Sequence, residues 1–288
     1  MASRQKHDSP APVIPGKPAS MTAWVACFFA LATVIFYWPI LSVQGAIWND
    51  FIEQYLPYRH FASVALREGV FPFWNPYVFS GMPFFADIQA AVLYPLNLLM
   101  VMFTGRDGLS AVAFEYQIVA HVLGAGFFMF LFARELGCAT VGSMVAGLSY
   151  MFGGFMTSHI FHVTMIHMAP WFPLLGLCLV RTFHRESLGY LSLSAMVLAT
   201  AALAGHPQLF LYMMYWMGAL TLFLIVGEIR GGSRFPKVIR RSALVGAAMV
   251  LGVGLCAIQL LPTQELGAES ARPGMAFEQS AEGSYAHL

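Results

Sequence analysis

Three carboxylates, Asp50, Glu53 and Asp87, stand in a polar stretch between two long apolar segments, in the company of Tyr55, Tyr58, Phe71, Phe73, Trp74, Tyr77 and Phe79. Carboxylates near a membrane surface can bind a cation or take the proton of a hydroxyl, and partial burial or a neighbouring cation tunes them for the task. Glu53 follows Asp50 by about one helical turn, so a short interfacial helix would present both on one face. Tyrosine and tryptophan favour the headgroup level, where one end of the ring is apolar and the other wet; Trp74 has the alternative of stacking on a sugar face. Asn75-Pro76 and Ser80-Gly-Met-Pro83 cut the stretch into short elements, as juxtamembrane helices lying flat require. Two arginines, Arg59 and Arg272, carry the planar fork that pairs with phosphate.

Histidines are the second chemical signal. His159, His162 and His167 cluster near one turn, and His206 lies in Gly205-His-Pro-Gln208. Imidazole with carboxylate can ligate a divalent metal ion such as zinc or manganese, yet His159-x-x-His162 alone is a weak motif, and packed or hydrogen-bonded turn residues are the commoner outcome. Glu115 and His121, six residues apart on one apolar segment, do not share a helical face, and Glu115 falls near a boundary that water should reach. No proton relay is read from them. Cys27, Cys138, Cys178 and Cys256 show no C-x-x-C spacing, which leaves inert small core residues as the reading.

Hydrophobic residues make up 58% and charged residues 10% of the chain, against roughly 45–50% and 25% in a soluble domain. That imbalance predicts an all-α polytopic membrane protein. Fifteen basic and fourteen acidic residues leave a formal charge of +1, so a nucleic-acid partner has no electrostatic footprint. About 20 apolar residues cross the hydrocarbon layer, and runs near 22–43, 111–133, 139–157, 161–180, 188–205, 208–227 and 242–262 predict seven transmembrane helices. The stretch Ala90–Phe103, interrupted by Pro95 and Asn97, can be an eighth span, a re-entrant piece or an interfacial helix.

Charge decides between these. With a cytoplasmic N-terminus and no crossing at Ala90–Phe103, eleven basic residues lie inside (Arg4, Lys6, Lys17, Arg134, Arg181, Arg185, Arg230, Arg234, Lys237, Arg240, Arg241) and four outside (Arg59, Arg67, Arg106, Arg272). A crossing there reverses every later loop and leaves five inside against ten outside. The positive-inside rule favours the first arrangement. It collects ten of fourteen acids on the outer face, including Asp50, Glu53, Asp87 and Glu115. Residues 1–20 read as a disordered cytoplasmic tail, 21–263 as the membrane domain with an outer loop over 44–110, and 264–288 as the start of a truncated outer segment.

The order Asp50, Gln54-Tyr-Leu-Pro-Tyr58, Leu66-Arg-Glu-Gly69, Pro72-Phe-Trp-Asn-Pro-Tyr77, Ser80-Gly-Met-Pro83, Gln89, Tyr94-Pro95, then Gly205-His-Pro-Gln208, Leu261-Pro262 and Ser270-Ala-Arg272 resembles the bacterial YfhO-type membrane proteins. The resemblance runs through nearly all of 45–285 and implies a GT-C-like fold, that of membrane glycosyltransferases using a polyprenyl-phosphate sugar donor on the extracytoplasmic side of the bacterial cytoplasmic membrane. It implies that Asp50, at the place of the family's first-loop acid, is the catalytic group. Glu53, Arg59, Trp74, Asp87, Gln89, His206, Gln208 and Arg272 are the expected substrate-binding residues. The chain departs from several GT-C enzymes in lacking a plain Asp-x-Asp or Glu-x-Asp pair, with Asp87 and Gln89 a partial substitute. The metal requirement therefore stays open. Alternatives to sugar transfer are a transporter or flippase of a lipid-linked glycan and a non-catalytic scaffold of envelope assembly with the aromatic loop as its protein-docking surface; the partners expected for transfer are membrane lipids and a lipid-linked sugar donor, with protein partners open.

Overall fold

A computed structural model describes residues 19–105 and 108–270. The chain opens with α1 (Ala19–Phe36), which breaks at Tyr37 and resumes as α2 (Trp38–Leu41). Pro39 lacks the N–H that a continuous helix would need there. A π-helical turn (Phe51–Tyr55) leads into α3 (Leu56–Arg67). A short hairpin follows, β1 (Trp74–Asn75) against β2 (Met82–Pro83), antiparallel with Trp74 opposite Pro83 and Asn75 opposite Met82. This strand pair was not expected from the sequence, because two residues per strand leave no alternation to read. A 3₁₀ turn (Ile88–Ala90) and α4 (Pro95–Val101) complete the insertion. With seven residues at 1.5 Å each, α4 is only about 10 Å long and cannot cross about 30 Å of hydrocarbon.

The remaining helices are α5 (Ala111–Glu135), α6 (Thr140–Phe152), α7 (Gly154–Ser158), α8 (Val163–Met168), α9 (Trp171–Arg185), α10 (Leu188–Leu203), α11 (Pro207–Arg230) and α12 (Phe235–Glu269). Among the described residues, four stretches are long and apolar enough to cross a membrane: Ala111–Glu135, Val163–Arg185, Pro207–Arg230 and Phe235–Glu269. Ala23–Phe36 and Leu188–Leu203 are apolar but shorter. The fold is thus that of an all-α, multi-pass membrane protein.

Burial orders the helices. Val163–Arg185 is 78% buried over its most apolar window and Pro207–Arg230 only 17%, so the first is central and the second peripheral. Leu222, Phe223, Val250, Leu255, Ile258 and Leu261 lie exposed on α11 and α12; so broad an apolar face is foreign to a water-facing surface and natural against lipid. Phe29, Phe51, Phe114, Ile118, Met151 and Ile166 fill one core among α1, the π-turn, α5, α6 and α8. Leu175, Leu179, Phe183, Leu198, Met213 and Met217 fill a second among α9, α10 and α11. Cys178 and Cys256 are buried core residues as expected, whereas Cys27 and Cys138 are exposed.

Two readings near the helix ends need correction. The last helix does not stop at 262: it continues through Pro262 to Glu269, since one missing N–H need not end a helix that is tied down on either side of the proline by Gln259 and Thr263. Glu115 is not reached by water. It is 3% exposed, and its Oε1 accepts the N–H of Ile47 at 2.7 Å, tying the 44–50 loop to α5.

The end opposite the 44–110 insertion is held by ions. Arg241 donates to Glu186 at 3.0 Å and Glu228 at 2.5 Å, binding the α9–α10 turn, α11 and α12 together, while Arg181 pairs with Glu135 at 2.8 Å. Arg241 is 8% exposed, but Glu186 and Glu228 are only partly buried and Glu186 keeps Arg240, so removing Arg241 costs less than the ~3–5 kcal/mol of a fully enclosed pair. Arg241→Met is therefore expected to lower the thermal unfolding temperature of the detergent-solubilised protein clearly; an unchanged transition would show that the network contributes nothing.

Candidate functional site

The site is built where the insertion meets the helix ends. Asn49 adopts φ 56, a left-handed conformation that asparagine tolerates better than most residues, and Asp50 follows it as the N-cap of the wide π-turn. π-turns concentrate at functional positions. Here the turn sends Phe51 and Tyr55 inward: Phe51 stacks on Phe114 at 5.2 Å and the Tyr55 hydroxyl meets Thr164 at 3.2 Å. The opposite side of the same turn places Asp50, Glu53 and Gln54 on the wall of a cavity of about 730 Å³.

Asp87 and Gln89 line the same cavity, as do Thr263, Leu266 and Ser270 at the end of α12. Asp87 accepts the Gln89 N–H at 2.9 Å, and the Gln89 side chain accepts from Gln54 at 2.5 Å. The segment carrying Asp87 is clamped from both flanks. Arg59, 3% exposed, donates to the carbonyls of Ala90 and Gln89. From α12, Gln259 donates to the Phe85 carbonyl and Thr263 to that of Ala86, each at 2.8 Å.

Electrostatics separate the two aspartates. Burial pushes the Asp87 carboxyl above its ordinary value, although the Gln89 N–H, the Arg59 guanidinium and the Tyr58 hydroxyl all work against that. Burial likewise raises Tyr58 to about 12 and lowers Arg59 to about 10, so Arg59 remains a cation at neutral pH. Asp50 is more open, with a side chain 43% exposed and Oδ2 3.5 Å from Nε2 of His162. Burial holds the His162 imidazole below its usual value, with Asp50 opposing and His159 adding to the shift. The ring beside Asp50 is therefore neutral at neutral pH.

Of the residues expected from the sequence, Asp50, Glu53, Asp87 and Gln89 share the cavity. Arg59 does not present its fork to a ligand: two guanidinium nitrogens are spent on carbonyls, making it a positioning residue. Trp74 is exposed, lies against Gly81 and is not part of the cavity wall. His206 caps α11, its Nδ1 accepting the Leu209 N–H at 3.1 Å, and contributes through its neighbour Pro207. Gln208 donates to Tyr212 on the helix surface. Arg272 lies outside the described residues. Among the described residues no group of three or more His, Cys, Asp or Glu is placed to hold a metal ion; the donor set near Asp50 does not amount to a preformed metal site.

Gln54 entered the sequence reading only as part of a motif, and Gln259 and Thr263 escaped it. The last two had a signal, since polar side chains four residues apart in an apolar span usually have partners to meet. A second pocket, about 720 Å³ and lined mainly by apolar groups such as Leu56, Phe61, Val64 and Leu109, lies on the other side of α3. Pro57 and Val78 border both spaces.

His167, expected at the turn, is instead fully buried and stacked on His121 at 4.2 Å. The His121 ring accepts the Tyr94 hydroxyl proton at Nε2, 2.7 Å away, because its Nδ1 must donate to the Gln117 carbonyl. Tyr94 in turn receives the Trp171 indole N–H at 3.0 Å. This chain of bonds ties α4 and the loop before it to α5 and α9. No family model, curated protein or solved structure matches this chain.

Proposed function

We propose that the protein is a seven-span, GT-C-like membrane glycosyltransferase that moves a sugar from a polyprenyl-phosphate donor to a cell-envelope acceptor, on the extracytoplasmic side of the bacterial cytoplasmic membrane. The observation that supports this best is the adjoining pair of spaces: a carboxylate-bearing cavity at Asp50 and an apolar groove beyond Pro57 and Val78. An amphiphile with a polar head and a long apolar tail fits that division. In this reading Asp50 takes the proton of the acceptor hydroxyl, the role a positioned carboxylate can fill. The charge distribution supports the orientation, with Arg181, Arg230, Arg234, Lys237, Arg240 and Arg241 at the end away from the cavity.

The test is a comparison of envelope glycans and lipid carriers between wild-type cells and cells lacking the protein. Accumulation of one sugar-loaded carrier with loss of one glycan decoration is the expected result; identical profiles would reject the transfer reading. A flippase would need a polar cavity open to each face in turn, whereas the polar groups at Tyr94, His121 and His167 are packed against one another and buried.

A further inference from the structure

We propose that Asp87 is the second catalytic group of this cavity, an acid that protonates the departing oxygen while Asp50 accepts the proton of the incoming hydroxyl. The inference rests on the transfer reading above and adds a residue and a chemical step to it. Three observations carry it. Asp87 lines the same cavity as Asp50. Its segment is the most firmly located part of the wall, with the carbonyls of Phe85 and Ala86 held from α12 and those of Gln89 and Ala90 held by Arg59. And the two carboxyls sit in different surroundings, Asp50 half-open beside His162 and Asp87 more enclosed between Tyr58 and the 88–90 turn. Two carboxyl groups in unlike environments divide naturally into acid and base; burial, which favours the protonated form of Asp87, points the same way.

The step balances. The bond from the sugar C1 to the phosphate oxygen breaks and its electron pair leaves with that oxygen, which takes the proton from Asp87. The acceptor oxygen bonds to C1 and its proton passes to Asp50. Exchange with water returns both carboxyls to their starting states.

Among the described residues, the groups near Asp87 are Tyr55 from the π-turn, Tyr58 and Arg59 from α3, the Gln89 N–H from its own turn and the uncharged Thr263 from α12; Asp50 and Glu53 line the same cavity. The experiment uses membrane vesicles containing the full chain and their own lipid-linked sugars, with release of polyprenyl phosphate followed against pH. Wild-type turnover is expected to fall as pH rises through the Asp87 value, since the acid is active only when protonated. Asp87→Asn should reduce turnover about a hundredfold or more, and its residual turnover should lose that alkaline fall.

Asparagine keeps an acceptor for the Gln89 N–H, so the variant should unfold at the wild-type temperature or above; loss of turnover in a folded variant separates chemistry from support. Asp87→Glu should restore part of the turnover together with the alkaline fall. A fully active Asp87→Asn beside an inactive Asp50→Asn overturns the role of Asp87 and leaves the transfer reading standing. If both variants are fully active, the transfer reading falls as well.

Discussion

Asp50→Asn is expected to abolish sugar transfer while leaving the amount of protein in the membrane unchanged. The two halves of that statement have separate grounds. A general base contributes about two to four orders of magnitude to a proton-transfer step, and an amide cannot take the proton. Abundance should hold because the Asp50 side chain is 43% exposed and its contact with the neutral His162 ring is 3.5 Å long. Little folding energy is therefore at stake. The measurement is transfer in membrane vesicles normalised to protein amount. Full activity in Asp50→Asn would remove the base from its assigned position, and a loss of protein would mean that the side chain supports the fold instead.

The second large effect is expected at a residue that touches no substrate. Gly205 has φ +92 and its Cα faces the Ile88 carbonyl so closely that an added methyl would overlap the oxygen, with the Ala91 methyl 3.2 Å away. A side chain in this left-handed conformation costs about 1–2 kcal/mol, and overpacking adds about 1–3. Gly205→Ala should therefore destabilise the protein by about 2–5 kcal/mol in total. The overlap can be relieved by moving the 88–90 turn, which carries Gln89 and follows Asp87. A misplacement of about 1 Å near reacting groups can cost about a hundredfold, so transfer should fall even at temperatures where the variant stays folded. Gly218→Ala is the control: that glycine is exposed on α11 with open space around it, and alanine there should leave both readouts close to wild type. Equal behaviour of the two variants would show that the α10–α11 turn does not brace the site.

These two positions differ in how they could be found. Asp50 stood out as a candidate because it is a carboxylate between apolar segments in a recognisable order of aromatic and turn residues, and the structure places it on the cavity wall. Gly205 was visible only as part of a short motif. Its reason, the approach of the α10–α11 turn to the Ile88 carbonyl, involves residues more than a hundred positions apart, and no local pattern encodes such a distance. Arg59 shows the reverse case. A loop arginine reads as an anion binder, yet burial turned it into a clamp on two carbonyls, because an enclosed guanidinium must find acceptors wherever the fold supplies them.

Long apolar runs, their polar interruptions and the lopsided distribution of basic residues are properties of the chain itself. Hydrocarbon thickness and the cost of leaving backbone groups unpaired convert them into helices with little help from tertiary contacts. That is why the four stretches long and apolar enough to cross a membrane and the short α4 fall close to where the sequence indicates. The shape of the site was decided later, by packing. The π-turn, the two-residue hairpin and the grip of Gln259 and Thr263 on carbonyls more than 170 residues earlier depend on which surfaces meet once the helices have assembled. Interior polar groups accept whatever partners that assembly brings within reach, and so Asp50 and Asp87 came to share one cavity.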